Sequence, residues 1–523
     1  MKRVLAITLM LVLALAPCGL TQQADQAPTP QSPANQGNQP IPPGPAQATA
    51  REPTPQAAPA EWQRIPIPPL PAFEPAVPKR IVLPNGMVWF LQENRELPLI
   101  SATARIRGGA RLEPPDKVGL AQLFGEVWRT GGTKTRTGDQ MDDFLEARAA
   151  KLETSGDDDS TYISLNCLKG DFDGVWSLFL DLLHNPAFRE DKLALAQDGL
   201  MTSISRRNDD PGRIAARESK ALAYGRTNPY ARVPEYATVA AVSRDDLVKW
   251  HERFVHPNNI VFGIIGDFDS AQMEQKLRAA FLSWPRGTPA PVPNIKFTPA
   301  PPGLYYARHA DVNQSAVRMV TLGIERNNPD FFAVQVMNEV FGGGFTSRLF
   351  RYIRTERGLA YSVGGGIGSD YDHPGIFRLS AGTKTASTVE VIKALNTEIA
   401  GLLSEPASSA ELQQAKDAIL SSFIFRIDTP EKVLAQRMAY EFHGYPLDFL
   451  ERFRAGVEKV TTADIQRVAR KYVHPGSFAV LVVGNDEAGK LLSSLGPLTT
   501  LDISIPPPPR EEKNAAAGGQ AQP

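Results

Sequence analysis

Two stretches of this chain echo each other 218 residues apart. Val242-Ser-Arg-Asp-Asp-Leu247 leads into His256-Pro-Asn-Asn-Ile-Val-Phe-Gly-Ile-Ile-Gly-Asp267. Val460-Thr-Thr-Ala-Asp-Ile465 leads into His474-Pro-Gly-Ser-Phe-Ala-Val-Leu-Val-Val-Gly-Asn485. Each copy offers a Ser/Thr helix start, an amphipathic helix, a His-Pro break and a nearly continuous apolar run bounded by glycine. A run such as Ile260 to Ile265 is what a strand buried on both faces requires. Repetition at this spacing implies a duplicated domain of roughly 200 residues. A single core is excluded in any case, because 523 residues exceed what one core holds.

Both halves open with strand patterns and continue with helical ones. Arg80 to Leu91 carries a Pro-Asn-Gly turn between two apolar runs, a hairpin cue, and Leu99 to Arg107 follows as a strand. Gly303 to Ala307 and Ala316 to Gly323 take these parts in the second half. Helical spacing covers 140–152, 173–183 and 191–206, then 330–341, 388–403 and 410–425. The order predicts an α+β fold: two homologous α/β sandwich domains, each a mostly antiparallel sheet packed against helices. The domains are expected at 77–284 and 304–500, joined by a proline-rich linker at 285–303.

The ends read differently. Lys2 and Arg3 precede a thirteen-residue apolar run, Val4 to Ala16, too short to span a bilayer, so 1–20 is expected to be a secretory signal. Export to the periplasm follows. Leu15-Ala16-Pro17-Cys18 resembles a lipobox, making Cys18 a candidate membrane anchor; cleavage a few residues later to a soluble periplasmic chain is the alternative. Residues 21–76, rich in Pro, Gln and Ala, are expected to be a disordered tether, and 501–523 a disordered tail. With 56 basic against 57 acidic residues and no basic stripe, nucleic acid is not an expected partner. Cys18 and Cys167 are the only cysteines and imply no disulfide framework. Cys167 alternates with Ile163 and Leu165 on one strand face, which makes it a buried, inert thiol.

Gly119 to Thr137 reads GLAQLFGEVWRTGGTKTRT, with Leu120, Leu123, Phe124, Val127 and Trp128 on one helix face. The stretch resembles the signature helix of the pitrilysin/insulinase family of zinc peptidases, which includes mitochondrial processing peptidase. Leu83-Pro-Asn-Gly86, Arg107-Gly-Gly109, Gly119-Leu-Ala121, both His-Pro-to-Gly runs and Arg354 to Tyr361 carry the same resemblance, over about residues 77–495. Active members hold His-x-x-Glu-His after Gly-Leu-Ala, and the matching positions here are Gln122, Gly125 and Glu126. The distal zinc ligand should match Thr202 or Ser203. Zinc needs imidazole and carboxylate donors that converge, and a water-activating base beside them. None is in place, so no catalytic or metal-binding residue is expected on this chain.

No replacement site emerges from spacing. The seven histidines read as surface or capping residues, Asp157-Asp158-Asp159 as a solvated turn, and Glu126 as a surface partner of Arg129. What remains is Arg354, seven residues before Tyr361. The resemblance implies that this pair holds the substrate backbone, a role suited to a guanidinium fork and a phenolic donor. The residues alone also allow Arg354 to cap a helix and Tyr361 to pack at a strand start. Gly342 to Gly344 allow close backbone approach, a flexible loop or a helix stop. The expectation is therefore a non-catalytic, exported family member that supplies Arg354 and Tyr361 to a zinc-bearing homologous partner acting on peptides, with no cofactor of its own. The alternative is a stand-alone peptide-binding or structural homodimer.

Overall fold

The computed structural model describes residues 77–508. The expected signal segment (1–20), the tether (21–76) and the tail beyond 508 lie outside the described residues. The duplication emerges as two sheets. The first is built from β1 (Lys79–Val82), β2 (Val88–Glu93), β3 (Leu99–Arg107), β4 (Lys151–Gly156), β5 (Ser160–Leu168) and β6 (Ile260–Gly266), in spatial order β1-β2-β6-β3-β5-β4. The second uses β7 (Gly303–Arg308), β8 (Gln314–Leu322), β9 (Ile324–Glu325), β10 (Ser362–Asp370), β11 (Pro374–Lys384), β12 (Ala479–Gly484) and β13 (Leu498–Thr500), in order β13-β7-β12-β8-β11-β10-β9.

The repeated apolar runs are β6 and β12. Each lies inside its sheet, parallel to one neighbour and antiparallel to the other. Every residue of both strands is buried, which is why neither alternates polar with apolar residues. The first sheet is mostly antiparallel. The second is evenly mixed, since β13–β7, β7–β12 and β10–β9 all run parallel. The difference lies at the edges: β13 runs parallel to β7 at the place that β1 holds antiparallel to β2 in the first sheet, and β9 adds a parallel pair at the other edge. The β1–β2 hairpin turns where expected, with Gly86 at φ +89° and the Gly86 N–H donating to Leu83 O at 2.9 Å.

Helices cover one face of each sheet and enclose separate cores, around Phe124, Trp128, Phe179 and Phe281 in one half and Val334, Phe341, Phe377 and Leu395 in the other. The opposite faces are closed by exchange. Helix Pro211–Tyr224, from the first half, lays Ile214, Ala215, Leu222 and Tyr224 against Tyr305, Val320 and Leu481 of the second sheet. Helix Pro430–His443, from the second half, lays Leu434, Met438 and Phe442 against Phe90, Val261 and Ile265 of the first. Met438 lies directly over Gly263 of β6, its sulfur where a Cβ would stand. Sequence patterning overlooked both helices, although each carries a start signal: Asp210 or Thr429 as N-cap, then proline at the first helical position.

A charged clasp joins the halves beside these helices. Arg105 pairs with Asp159 at 3.1 Å, points a guanidinium nitrogen at His443 Nε2 at 3.2 Å and stacks on Phe442. Arg107 donates to Phe442 O, and Arg111 pairs with Asp372 and donates to the Tyr230 hydroxyl. The Asp157–Asp159 turn is thus no mere solvated loop: Asp159 pairs with Arg105 within the first half, and both face His443 of the second.

Other expectations need correction. The helix expected at 140–152 ends at Glu146, because Ala149 adopts left-handed φ (47°) and Leu152 belongs to β4. The 285–303 connection has no helix or strand before β7, yet it is tied along its length: Gly287 and Ala290 donate to the side chains of Asn258 and Asn259, and Thr298 and Ala300 to Tyr224 O and Leu222 O. Residues 501–505 are held rather than free. Leu501 N donates to Tyr306 O, Ile503 O accepts from Asn208, and Ile505 packs on the first core. Cys167 is buried as expected, and burial pushes its thiol up to about 11.

Candidate functional site

The signature stretch forms helix Leu120–Thr130, with Leu123, Phe124, Val127 and Trp128 fully buried. Its start has no capping side chain of its own, since Gly119 sits at φ +107°. Glu113 caps it from the preceding loop, accepting from Ala121 N at 2.7 Å and Gly119 N at 3.2 Å. Burial pushes this carboxyl up to about 7 against those bonds. Sequence reasoning missed Glu113; the only hint was an acidic residue shortly before a helix beginning with glycine.

The three positions that the family resemblance marks for zinc chemistry behave differently from one another. Gln122 and Glu126 are exposed, and the Glu126 carboxylate makes no hydrogen bond or ion pair among the described residues. Its partner is not Arg129, which instead donates to Leu152 O at 2.8 Å and pairs with Asp142, reaching across to β4 rather than along the helix. Gly125 is buried against that strand. A Cβ there would stand 2.6 Å from the Ser155 carbonyl carbon and closer still to Gly156 N. The base position is therefore closed to any side chain while helix and strand keep this approach. Thr202 and Ser203 lie on helix Glu190–Ser205, exposed, with hydroxyls folded back onto Asp198 O and Gly199 O. An amide, a lone carboxylate and two self-satisfied hydroxyls do not fit a zinc ion.

One other cluster gathers metal-type donors. Asp159, Asp372 and His443 bring ligand atoms within 4.8 Å of one another. Their lone pairs are already engaged by Arg105 and Arg111, and a cation would have to displace both guanidiniums. Burial opposes ionisation of Asp372, but His373 and Arg111 outweigh it and hold its carboxyl below the usual range. The cluster is a clasp. It also revises the surface assignment of the histidines: His443 and His251 are largely buried, and burial takes both down to about 4. His251 Nε2 sits 2.9 Å from Leu183 O, and its ring meets Trp128 edge-on.

In the second half, helix Phe331–Asn338 widens into a π-turn at Glu339–Gly343, and another follows at Phe350–Glu356. Such widened turns relocate side chains without ending the helix. Gly342 uses its lack of a side chain for close approach: a Cβ would stand 2.5 Å from Gly365 O on β10. Arg354 lies on the second π-turn and is exposed. Neighbouring Arg351 and Arg357 pair with Glu356 (3.6 Å) and Glu390 (3.8 Å). Among the described residues Arg354 has no acidic partner; its guanidinium rests over Phe350, 4.7 Å from the ring centre, and Phe350 meets exposed Phe345 edge-on. Tyr361 precedes β10, with N–H donating to Gly382 O at 3.1 Å and its ring lying on Gly382. It is 58% exposed, so it does not pack as a core strand residue. Arg354 and Tyr361 make no hydrogen bond with each other. Both are free to meet something else.

Two duplicated α+β domains, a signature helix with its ligand positions emptied and an intact Arg–Tyr segment define a peptidase fold without a fitting zinc site. Residues 91–228 match "Insulinase (Peptidase family M16)" and residues 241–419 match "Peptidase M16 inactive domain", and the chain belongs to this family. Among curated relatives, "Non-peptidase homolog YmxG" of Helicobacter pylori is 25% identical over 408 residues, covering 76% of this chain and 92% of that protein. "Uncharacterized zinc protease" of Rickettsia bellii is 25% identical over 326 residues, covering 60% and 75%. Among solved structures, a peptidase M16 inactive domain from Pseudomonas fluorescens superposes with TM-score 0.69 at 22% identity, covering 78% of this chain and 98% of that one.

Proposed function

We propose that this chain is the exported, non-catalytic subunit of a two-chain peptidase. In that assembly a homologous partner carries the zinc, and this chain presents Arg354 and Tyr361 to a peptide. The observation that carries the proposal is a contrast. Gly125 is sealed against the backbone of β4, whereas Arg354 and Tyr361 are exposed and unpaired. An unpaired guanidinium and a phenolic hydroxyl suit a peptide carbonyl, or the oxyanion that develops from it. Export places the pair in the periplasm, and Cys18 is the point where a lipid could hold it to a membrane. Similarity to a protein named a non-peptidase homolog supports the non-catalytic part of the proposal.

The test is reconstitution. The mature chain is purified alone and with a zinc-bearing homologue from the same genome, and cleavage of an unstructured peptide is followed with metal content. The expected outcome is no zinc and no cleavage from this chain alone, and cleavage from the mixture above that of the partner alone. A stoichiometric zinc on this chain overturns the proposal. A self-paired dimer that binds peptides but adds nothing to the partner's rate would assign it to the homodimer alternative.

A further inference from the structure

Arg318 of β8 is a mostly buried guanidinium with no carboxylate beside it among the described residues; it makes one long hydrogen bond, 3.3 Å, to Val317 O. Burying a charge without a counter-charge is costly, and such groups are ordinarily paired. The strand register shows what stands around it. Arg318 is directly opposite Ser380 of β11, while Val320 and Ala316 are opposite Arg378 and Gly382. Arg378 and Gly382 are therefore its diagonal neighbours on the same sheet face, within reach of long side chains. Arg378 is exposed, and its guanidinium makes no hydrogen bond or ion pair among the described residues. Gly382 is where the Tyr361 ring lies, its hydroxyl and ring edge occupying the space a side chain would take. The 211–224 helix covers β7, β12 and part of β8, and leaves Arg378 and Tyr361 open. Burial first, and then Arg378, lowers the Arg318 guanidinium to about 10, which still leaves it charged at neutral pH.

We propose that Arg318, Arg378 and Tyr361 form a recess that takes the carboxylate of a peptide, either an Asp or Glu side chain or a free C-terminus. Two guanidiniums side by side repel until an anion comes between them, and each presents the planar fork that matches a carboxylate. The Tyr361 hydroxyl adds a third donor. The inference rests on the peptide-binding role of Tyr361 and gives it a selectivity: acidic peptides over neutral ones.

Three dye-labelled ten-residue peptides of Gly, Ala and Ser test this on the mature chain by anisotropy at low salt. The first carries two central Glu and an amidated C-terminus, the second has Gln in their place, and the third is the Gln peptide with a free C-terminus. At least one carboxylate-bearing peptide should bind about tenfold or more tightly than the amidated Gln peptide, whichever of the two identifies the source of the carboxylate. Arg318→Met and Arg378→Gln should each erase that preference while leaving the Gln peptide's affinity unchanged, and Arg318→Met should melt no lower than the parent. If Arg318→Met does not fold, Arg378→Gln carries the test. Equal binding of all three peptides, or a preference that survives in both variants, overturns this inference alone. No binding of any peptide overturns it together with the peptide-binding role.

Discussion

The two halves of the molecule solve one packing problem and end with different surfaces. In the first, helix 120–130 presses Gly125 onto β4 at Gly156; in the second, the 331–343 segment presses Gly342 onto β10 at Gly365. Both contacts are glycine to glycine, and both bring a helix onto strand backbone. The first helix then offers solvent chiefly Gln122 and Glu126. The second runs through π-turns and presents Phe345, Arg354 and Tyr361. A duplicated fold can thus keep its frame on both sides while retaining chemically useful side chains on one.

The largest expected effect falls on the second half. Arg354→Ala and Tyr361→Phe should each lower turnover of the reconstituted complex by about 10²–10³, the usual cost of removing one preorganised donor. The melting temperature should not move, because neither side chain is buried. A fall in melting temperature with turnover per folded complex unchanged would make the pair architectural and erase the contrast.

Next comes Gly125→Glu. Restoring the missing carboxylate should not restore function, since any side chain at 125 collides with Ser155 and Gly156. We expect a loss of about 1–3 kcal/mol in unfolding free energy, the range for overpacking a filled site. No zinc should be retained even when Gln122→His and Glu126→His are added. A stable triple variant holding one zinc would show that the first half lost its chemistry by substitution alone.

Acid should strike the framework that both halves share. His251 and His443 have folded values near 4, below the ordinary 6.5, so the unfolded chain takes up the proton first. Their contribution to stability is complete above about pH 6.5 and declines as pH falls toward 4. Glu113, raised to about 7, acts in the opposite sense and gains on acidification. The difference between parent and His443→Gln isolates one histidine, and the variant should lose less stability between pH 6.5 and 4, by on the order of 2 kcal/mol. Identical denaturant midpoints at both pH values would remove the clasp from the account. The smallest effect belongs to Thr202→Ala and Ser203→Ala, whose hydroxyls bond only their own helix. Each should change stability by less than about 0.5 kcal/mol and leave zinc content unaltered.

The duplication, both buried strands, the hairpin at Gly86 and the emptied signature helix were legible because each has a short-range pattern: period, turn chemistry or residue type at fixed spacing. Arg354 and Tyr361 are singled out only by resemblance; their exposure is a fact of three dimensions. What stayed hidden was non-local. The 211–224 and 430–443 helices bury their faces against the other half, so nothing near them in sequence announces a partner. Glu113 as a cap, Arg105 opposite His443 and Arg318 beside Arg378 depend on pairings across strands or domains. The surface assignment of the histidines failed for the same reason, since burial of His251 against Trp128 and Leu183 is created by packing rather than by spacing.

The exchanged helices make the two halves of this chain behave like hooked fingers. Drawing one half away uncovers Phe90, Val261 and Ile265 on one side and Tyr305, Val320 and Leu481 on the other in the same stroke. Such a join has no soft direction. The two halves should therefore move as a single stiff body, with no hinge between them.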